Sequence, residues 1–216
     1  ERNDVDVDRL EYDRYTHASL IDHFFEPGTS VEKTLSGESE RGDFVEGRYG
    51  FTCENEGDVA EIVFQREGLV GKRAVRLRKR VVLETGASSF KVSYSIQNLS
   101  RKPLSAVFAS EFLFAVVEDA FLHHGKGVPA GGVGVQGELK TTDPLWIRDS
   151  AQGFEVGIHP TGPTGYWIHP IRTVALSESG LERTYQGTVL MPFWNLLVLP
   201  GKEWAADIFH DYRVLL

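Results

Sequence analysis

Asp22 and His23 stand side by side in YDRYTHASLIDHFFEPGTS, residues 12–30, with Phe24 and Phe25 directly after them. A carboxylate beside an imidazole is a pairing that general acid–base chemistry uses, because the acid orients the ring and stabilises its charged form. Further groups of that kind are Glu111 and Glu178 as carboxylates and His159 and His169 as imidazoles. The two phenylalanines give the segment a second reading, in which it is pinned against an apolar surface. Either the chemistry is in this chain, or it is in something the chain docks to.

Other motifs carry less. Gly132, Gly134 and Gly137 complete a literal G-x-G-x-x-G. That pattern holds a pyrophosphate only where a strand enters and a helix leaves, so that helix amides face the phosphates. Here Val128-Pro129-Ala130 precedes it and ELKTTDP, residues 138–144, follows without helical periodicity, so the stretch reads as a flexible loop. The 7 histidines form no H-E-x-x-H, and the single Cys53 can supply neither a CxxC site nor an internal disulfide. No metal or cofactor is expected, although a calcium site built from loop carboxylates stays open. Ser88, Ser89 and Ser177 lack a G-x-S-x-G context. Glycoside cleavage needs two carboxylates at a set separation; acid pairs such as Glu178 with Glu182 read instead as groups that cap turns and solvate strand edges.

GKRAVRLRKR, residues 71–80, is basic at six of ten positions. Its alternation reads as the wet face of a strand whose arginines pair with Glu61, Glu67 and Glu84 on neighbours, rather than as an anion-binding stripe. Trp146, Trp167, Trp194 and Trp204 either fill a core or offer flat faces to sugars. Trp167 lies among turn formers beside Tyr166 and is expected nearest the surface. Trp146, Tyr166 and Trp167, with Glu111 and Glu178, are therefore the carbohydrate-contact candidates. Asn98-Leu99-Ser100 is a sequon, which matters only in a secretory pathway.

The elements that must position these groups are strands. In 73–84, Val75, Leu77 and Val81 fall on one parity and Arg76, Arg78 and Arg80 on the other. Residues 59–67 and 89–98 alternate in the same way, which puts one face of each strand in a core and one in water. Turn residues at Gly57-Asp58, Thr85-Gly86, Asp143-Pro144, Gly162-Pro163 and Pro200-Gly201 punctuate the chain. The pattern predicts roughly twelve to sixteen strands in an all-β fold of two large antiparallel sheets packed face to face. One domain is expected over 1–216, with an opening segment at 1–30 and a mobile Gly-rich loop at 123–144. The first residue is not Met and the start is acidic, which reads as a segment excised from a longer protein. No signal peptide is visible and the apolar runs fall short of the ~20 residues of a membrane helix. With a net charge of −8 and a lone cysteine, the chain is expected to be cytoplasmic and to bind neither nucleic acid nor membrane.

Two stretches together resemble a known family: YDRYTHASLIDHFFEPGTS, and HPIRTVALSESGLERTYQGTVLMPFWNLLVLPGKEW at 169–204. Both are similar to the C-terminal β-sandwich of family-57 glycoside hydrolases of the α-amylase and 4-α-glucanotransferase type. The second matches through Ser177-Glu178-Ser179-Gly180 and Glu182-Arg183-Thr184-Tyr185-Gln186-Gly187-Thr188. SEFLFAV (110–116) and RDSAQGFEV (148–156) resemble two further strands of that domain. The resemblance implies a galactose mutarotase-like supersandwich. It places the family's catalytic carboxylates on a separate N-terminal (β/α) barrel, so it assigns no catalytic residue here. It implies a non-catalytic C-terminal sandwich that stabilises the barrel of the same polypeptide and borders an α-glucan cleft, with Asp22, His23, Phe24 and Phe25 as anchoring or docking residues. Two alternatives are a stand-alone sugar-binding module and a mutarotase-like enzyme using Glu111, Glu178, His159 or His169. Adjacent residues of a strand face opposite ways, so one of Phe24 and Phe25 is expected inside the sandwich and the other on a surface the barrel covers.

Overall fold

The structure, a computed structural model, describes residues 14–125, 127–177 and 180–215. Among these residues there are fourteen strands and one short helix, α1 (Val31–Ser36). Five strands form one sheet in the order β1 (Ile21–Phe25), β6 (Leu104–Phe114), β13 (Gly180–Val198), β12 (Gly165–Ser177) and β9 (Gly137–Leu139). Nine form the other, in the order β2 (Gly50–Glu56), β3 (Val59–Val70), β4 (Arg73–Glu84), β5 (Ser89–Asn98), β14 (Glu203–Val214), β11 (Phe154–Pro160), β10 (Leu145–Asp149), β7 (Phe121–His124) and β8 (Val128–Gly132). Neighbouring strands pair antiparallel throughout, as the expected all-β sandwich requires. No helix among the described residues is long and apolar enough to cross a membrane.

Period-two patterning decides which side of each strand is dry. Val75, Leu77 and Val81 of β4 point between the sheets and meet Val92 and Ile96 of β5 in one buried cluster. On the wet side, Arg76 bonds Glu67 at 2.6 Å and Arg80 bonds Glu61, both acids lying on β3. These exposed pairs contribute little to stability; their effect is to keep the outer face polar. The sequon residue Asn98 is buried and donates from its amide to the carbonyls of Lys102 and Val198, so its side chain closes a corner of the fold.

The Gly-rich stretch is not the irregular loop its composition suggests. After β7 the chain turns through Gly125 and Gly127, both at positive φ, and returns as β8. Gly132 then ends β8, Val133 plugs into the core, and Gly137 opens β9. The glycines supply backbone conformations that side chains resist, and neighbouring strands supply the hydrogen bonds.

β1 sets the layout of what lies outside the five-stranded sheet. Phe24 points between the sheets, against Phe44 at 4.9 Å and Phe108 at 5.2 Å between ring centroids. Phe25 points the other way and is also buried, 2% exposed. It joins Val31 of α1 with Val107, Trp167, Met191 and Phe193 in a second apolar cluster. The expectation of an uncovered Phe therefore needs correction. This face is apolar, and the chain's own α1 covers it. Residues 40–44 then cross from the β1 edge to β3, with Arg41 and Gly42 donating to the Phe24 carbonyl and Asp43 to that of Leu69. With both rings buried, Phe24→Ala and Phe25→Ala are each expected to lower stability by about 3–5 kcal/mol in denaturant melts. An unchanged Phe25→Ala midpoint would contradict this packing.

Candidate functional site

Because β1 alternates, Asp22 and His23 never meet. Asp22 faces the inter-sheet side, where its Oδ2 accepts the Lys79 ammonium at 2.8 Å and the Tyr49 hydroxyl at 2.6 Å. Lys79 lies on the same parity as Val75, Leu77 and Val81, so it is the basic residue of the 71–80 stripe that turns inward. Its ammonium sits 4.8 Å from the Tyr49 ring centroid, and buried charges of this kind persist only when paired.

His23 faces outward into a second network. Its Nδ1 lies 2.9 Å from Glu40 Oε2 and its Nε2 3.2 Å from Glu111 Oε2. Glu40 Oε1 also accepts the backbone N–H groups of Phe24 and Gly42, each at 3.0 Å. Glu111, on β6 opposite Ile21, is fully buried. Its Oε2 accepts the Tyr15 hydroxyl at 2.6 Å and its Oε1 lies 2.9 Å from His17 Nδ1. Burial alone would raise the Glu111 carboxyl, but hydrogen bonds from His17, His23 and Tyr15 bring it down to about 2. Burial alone would lower His23, yet the two carboxylates hold it up at about 9, so both its ring nitrogens donate at neutral pH. Burial and the Glu111 charge push the Tyr15 hydroxyl well above its usual range. His169, 5.9 Å from His17 between ring centroids, is pushed down to about 4 by burial and stays neutral.

The parts are those of proton-transfer chemistry, but the arrangement works against it. A general base functions with a pKa near the operating pH and an accessible lone pair. Glu111 is far more acidic than that, both its oxygens are engaged, and His23 already carries its proton. The network acts as an electrostatic clamp that ties residues 15–17 and 40 to the sheet.

The other candidates separate. Tyr166 is fully buried between the sheets, its hydroxyl donating to the Asp143 carbonyl at 2.7 Å. Trp167, expected nearest the surface, is 1% exposed. It stacks on Phe193 at 4.1 Å, meets the Phe25 ring edge-on at 5.6 Å and donates from its indole to Glu138 Oε2 at 3.2 Å, so side chains of neighbouring strands cover it. Trp146 is on the other sheet, under the Arg213 guanidinium at 3.8 Å from the ring centroid. His159 lies beside it at 4.8 Å, and 3.4 Å from Asp211 Oδ2 without hydrogen-bond geometry. Glu178 lies outside the described residues. Glu111 and His169 thus share one sheet face while His159 belongs to the opposite sheet, so they form no common set.

Residue types alone do not reveal Tyr15, His17, Glu40, Tyr49 or Lys79; for Lys79 the signal was its parity. The pair His123 and Glu155, 2.7 Å apart and buttressed by Arg148, was hidden because its members are 32 residues apart in sequence. Among the described residues no group of three or more His, Cys, Asp or Glu is arranged to hold a metal ion. Two clefts open near the outer face of the five-stranded sheet. One of about 560 Å³ adjoins the clamp at Tyr15, His23, Glu40 and Arg66. The other, about 730 Å³, lies over Trp167, Phe193 and Asn195.

The clamp makes stability depend on pH at both ends. Glu111, lowered from its ordinary ~4.3 to about 2, contributes stability above the first value that is lost as pH falls through the second. His23, raised from ~6.5 to about 9, contributes stability that is fully present below the first value and lost as pH rises through the second. Glu111→Gln is expected to lower stability at neutral pH by about 3–5 kcal/mol, since it leaves a buried cation underpaired. His23→Gln should flatten the decline between roughly pH 6.5 and 9. Urea melts across that range check both; a decline of equal steepness in wild type and His23→Gln would contradict the clamp.

The family described as "Alpha-amylase/4-alpha-glucanotransferase, C-terminal" matches residues 3–208. A 4-alpha-glucanotransferase of Thermococcus kodakarensis is 34% identical over 187 residues, 85% of this chain and 25% of that protein. Alpha-amylase 1 of Dictyoglomus thermophilum is 28% identical, over 92% of this chain and 29% of that protein. The chain therefore spans about a quarter of the length of these curated relatives. Among solved structures, the 4-alpha-glucanotransferase of Thermococcus litoralis superposes with a TM-score of 0.70 at 23% identity, over 94% of this chain and 28% of that one. A putative aldose 1-epimerase of Escherichia coli K12 gives 0.62 at 12% identity, over 92% and 81%, a likeness of fold alone. With the match running through nearly its whole length, this chain belongs to the alpha-amylase/4-alpha-glucanotransferase C-terminal family.

Proposed function

We propose that this chain is the non-catalytic sandwich of a cytoplasmic enzyme that acts on α-glucans, where it stabilises a catalytic (β/α) barrel of the same polypeptide and borders its glycan cleft. The observation that carries this reading is the coverage: nearly all of the chain is similar to α-amylases and 4-α-glucanotransferases, yet it spans only about a quarter of them. The site geometry supports it. The carboxylate best surrounded for proton transfer, Glu111, is sealed beneath Tyr15 and His17 and held as an ion. Asp22, His23, Phe24 and Phe25 then anchor β1 from within. They fix where the preceding polypeptide joins the sandwich, and their burial leaves direct contact with the barrel to other residues.

The purified 216-residue chain is expected to release no reducing sugar from maltooligosaccharides and to transfer none. In the longer polypeptide, deleting these residues should lower the midpoint of thermal inactivation of the barrel. Release of sugar by the isolated chain, abolished by substituting one acid in a variant whose thermal midpoint is unchanged, would overturn the non-catalytic reading.

A further inference from the structure

The cleft over Phe193 and Trp167 is built differently from the rest of the outer face. Its floor depends on Gly165, the β12 residue opposite Phe193. A Cβ at Gly165 would stand 2.6 Å from the Leu139 carbonyl oxygen and 3.2 Å from the Phe193 ring. Without it, Phe193 lies down over β12 and stacks on Trp167, their rings 12° from parallel. One wall is fixed by the Tyr166 hydroxyl on the Asp143 carbonyl and by the Trp167 indole N–H on Glu138. At the near end the Thr164 hydroxyl oxygen accepts the Asn195 backbone N–H at 3.1 Å, which leaves its own proton to donate. The exposed Asn195 side chain lines the cleft beside it.

We infer that this cleft binds a short neutral glucan chain. Its groups match what a sugar presents. A carboxylate and a carboxamide can each engage neighbouring hydroxyls, a threonine hydroxyl can donate or accept, and the packed Phe193–Trp167 pair presents a small apolar edge at the floor. Glu138 and Asp143 outnumber Lys140, so phosphorylated or acidic ligands are repelled. The volume of about 730 Å³ falls within the ~300–1,000 Å³ of small-molecule sites. Trp167 and Phe193 are only 1% and 5% exposed, so a ring meets edges more than faces. Binding is therefore weak, with Kd on the order of 0.1–1 mM. The choice of α-linked glucose among neutral sugars rests on the function proposed above; the chemistry of the cleft does not.

The test titrates maltoheptaose, with cellohexaose as control, into the isotope-labelled 216-residue chain and follows amide and indole NMR signals. Saturable shifts at Thr164, Asn195 and the Trp167 indole are expected with maltoheptaose. Asn195→Ala and Glu138→Gln are expected to weaken binding roughly 3–10-fold each, the size of one lost hydrogen bond, with thermal midpoints near wild type. Absence of saturable shifts at these residues overturns the site, as does unchanged affinity in both variants. Equal or stronger binding of cellohexaose overturns the α-glucan assignment. A chain that fails these tests while remaining inactive leaves the non-catalytic reading intact, so the two can fail separately.

Discussion

The layer outside the five-stranded sheet depends on Glu111 being a fully buried ion. A carboxylate on the face of a sheet, 0% exposed, is tolerable only if both its oxygens are hydrogen-bonded. Tyr15, His17 and His23 supply those bonds, and Glu40 shares the charge on His23. The partners come from three separate stretches, residues 15–17, β1 and Glu40, so satisfying one carboxylate ties the opening segment, β1 and the 40–44 crossing to β6. The clamp contributes position more than net energy, because forming a buried ion pair roughly offsets its desolvation, whereas removing one member leaves an uncompensated charge.

Beside the clamp, the same face is apolar. Phe25, Val107, Ala109, Val189 and Met191 would lie open on an ordinary two-layer sandwich. Here α1 and its flanking turns roof them, ending at Gly37 in a left-handed conformation that lets the chain turn into residues 38–44. The molecule therefore has two sheets and a thin third layer over part of the smaller one. The cleft at Phe193 lies where that third layer stops, which is why it has an apolar floor and polar walls.

Similar folds carry different functions because function depends on sites placed on them. The putative aldose 1-epimerase of Escherichia coli K12 and a galactose mutarotase-like protein of Clostridium acetobutylicum share this fold. In this chain, the acid and imidazole groups that could serve such chemistry are either sealed, as at Glu111, or spread over two sheets, as with His169 and His159.

Alternation along β3, β4 and β5 was legible in the sequence because a strand's period of two makes burial a property of parity, which one chain displays without any partner. The same rule already separated Phe24 from Phe25, and it would have separated Asp22 from His23 and turned Lys79 inward. What only the tertiary structure decided was who stands opposite whom. Glu111 meets His23 across 88 residues and Asp22 meets Lys79 across 57; such separations leave no local pattern. Trp167 illustrates the same limit. Its neighbours in sequence are turn formers, which suggested a surface. Its neighbours in space are Phe25, Phe193 and the strands on either side. Strand pairing and roofing are set by contacts distant in the chain, and burial follows from those contacts rather than from local composition.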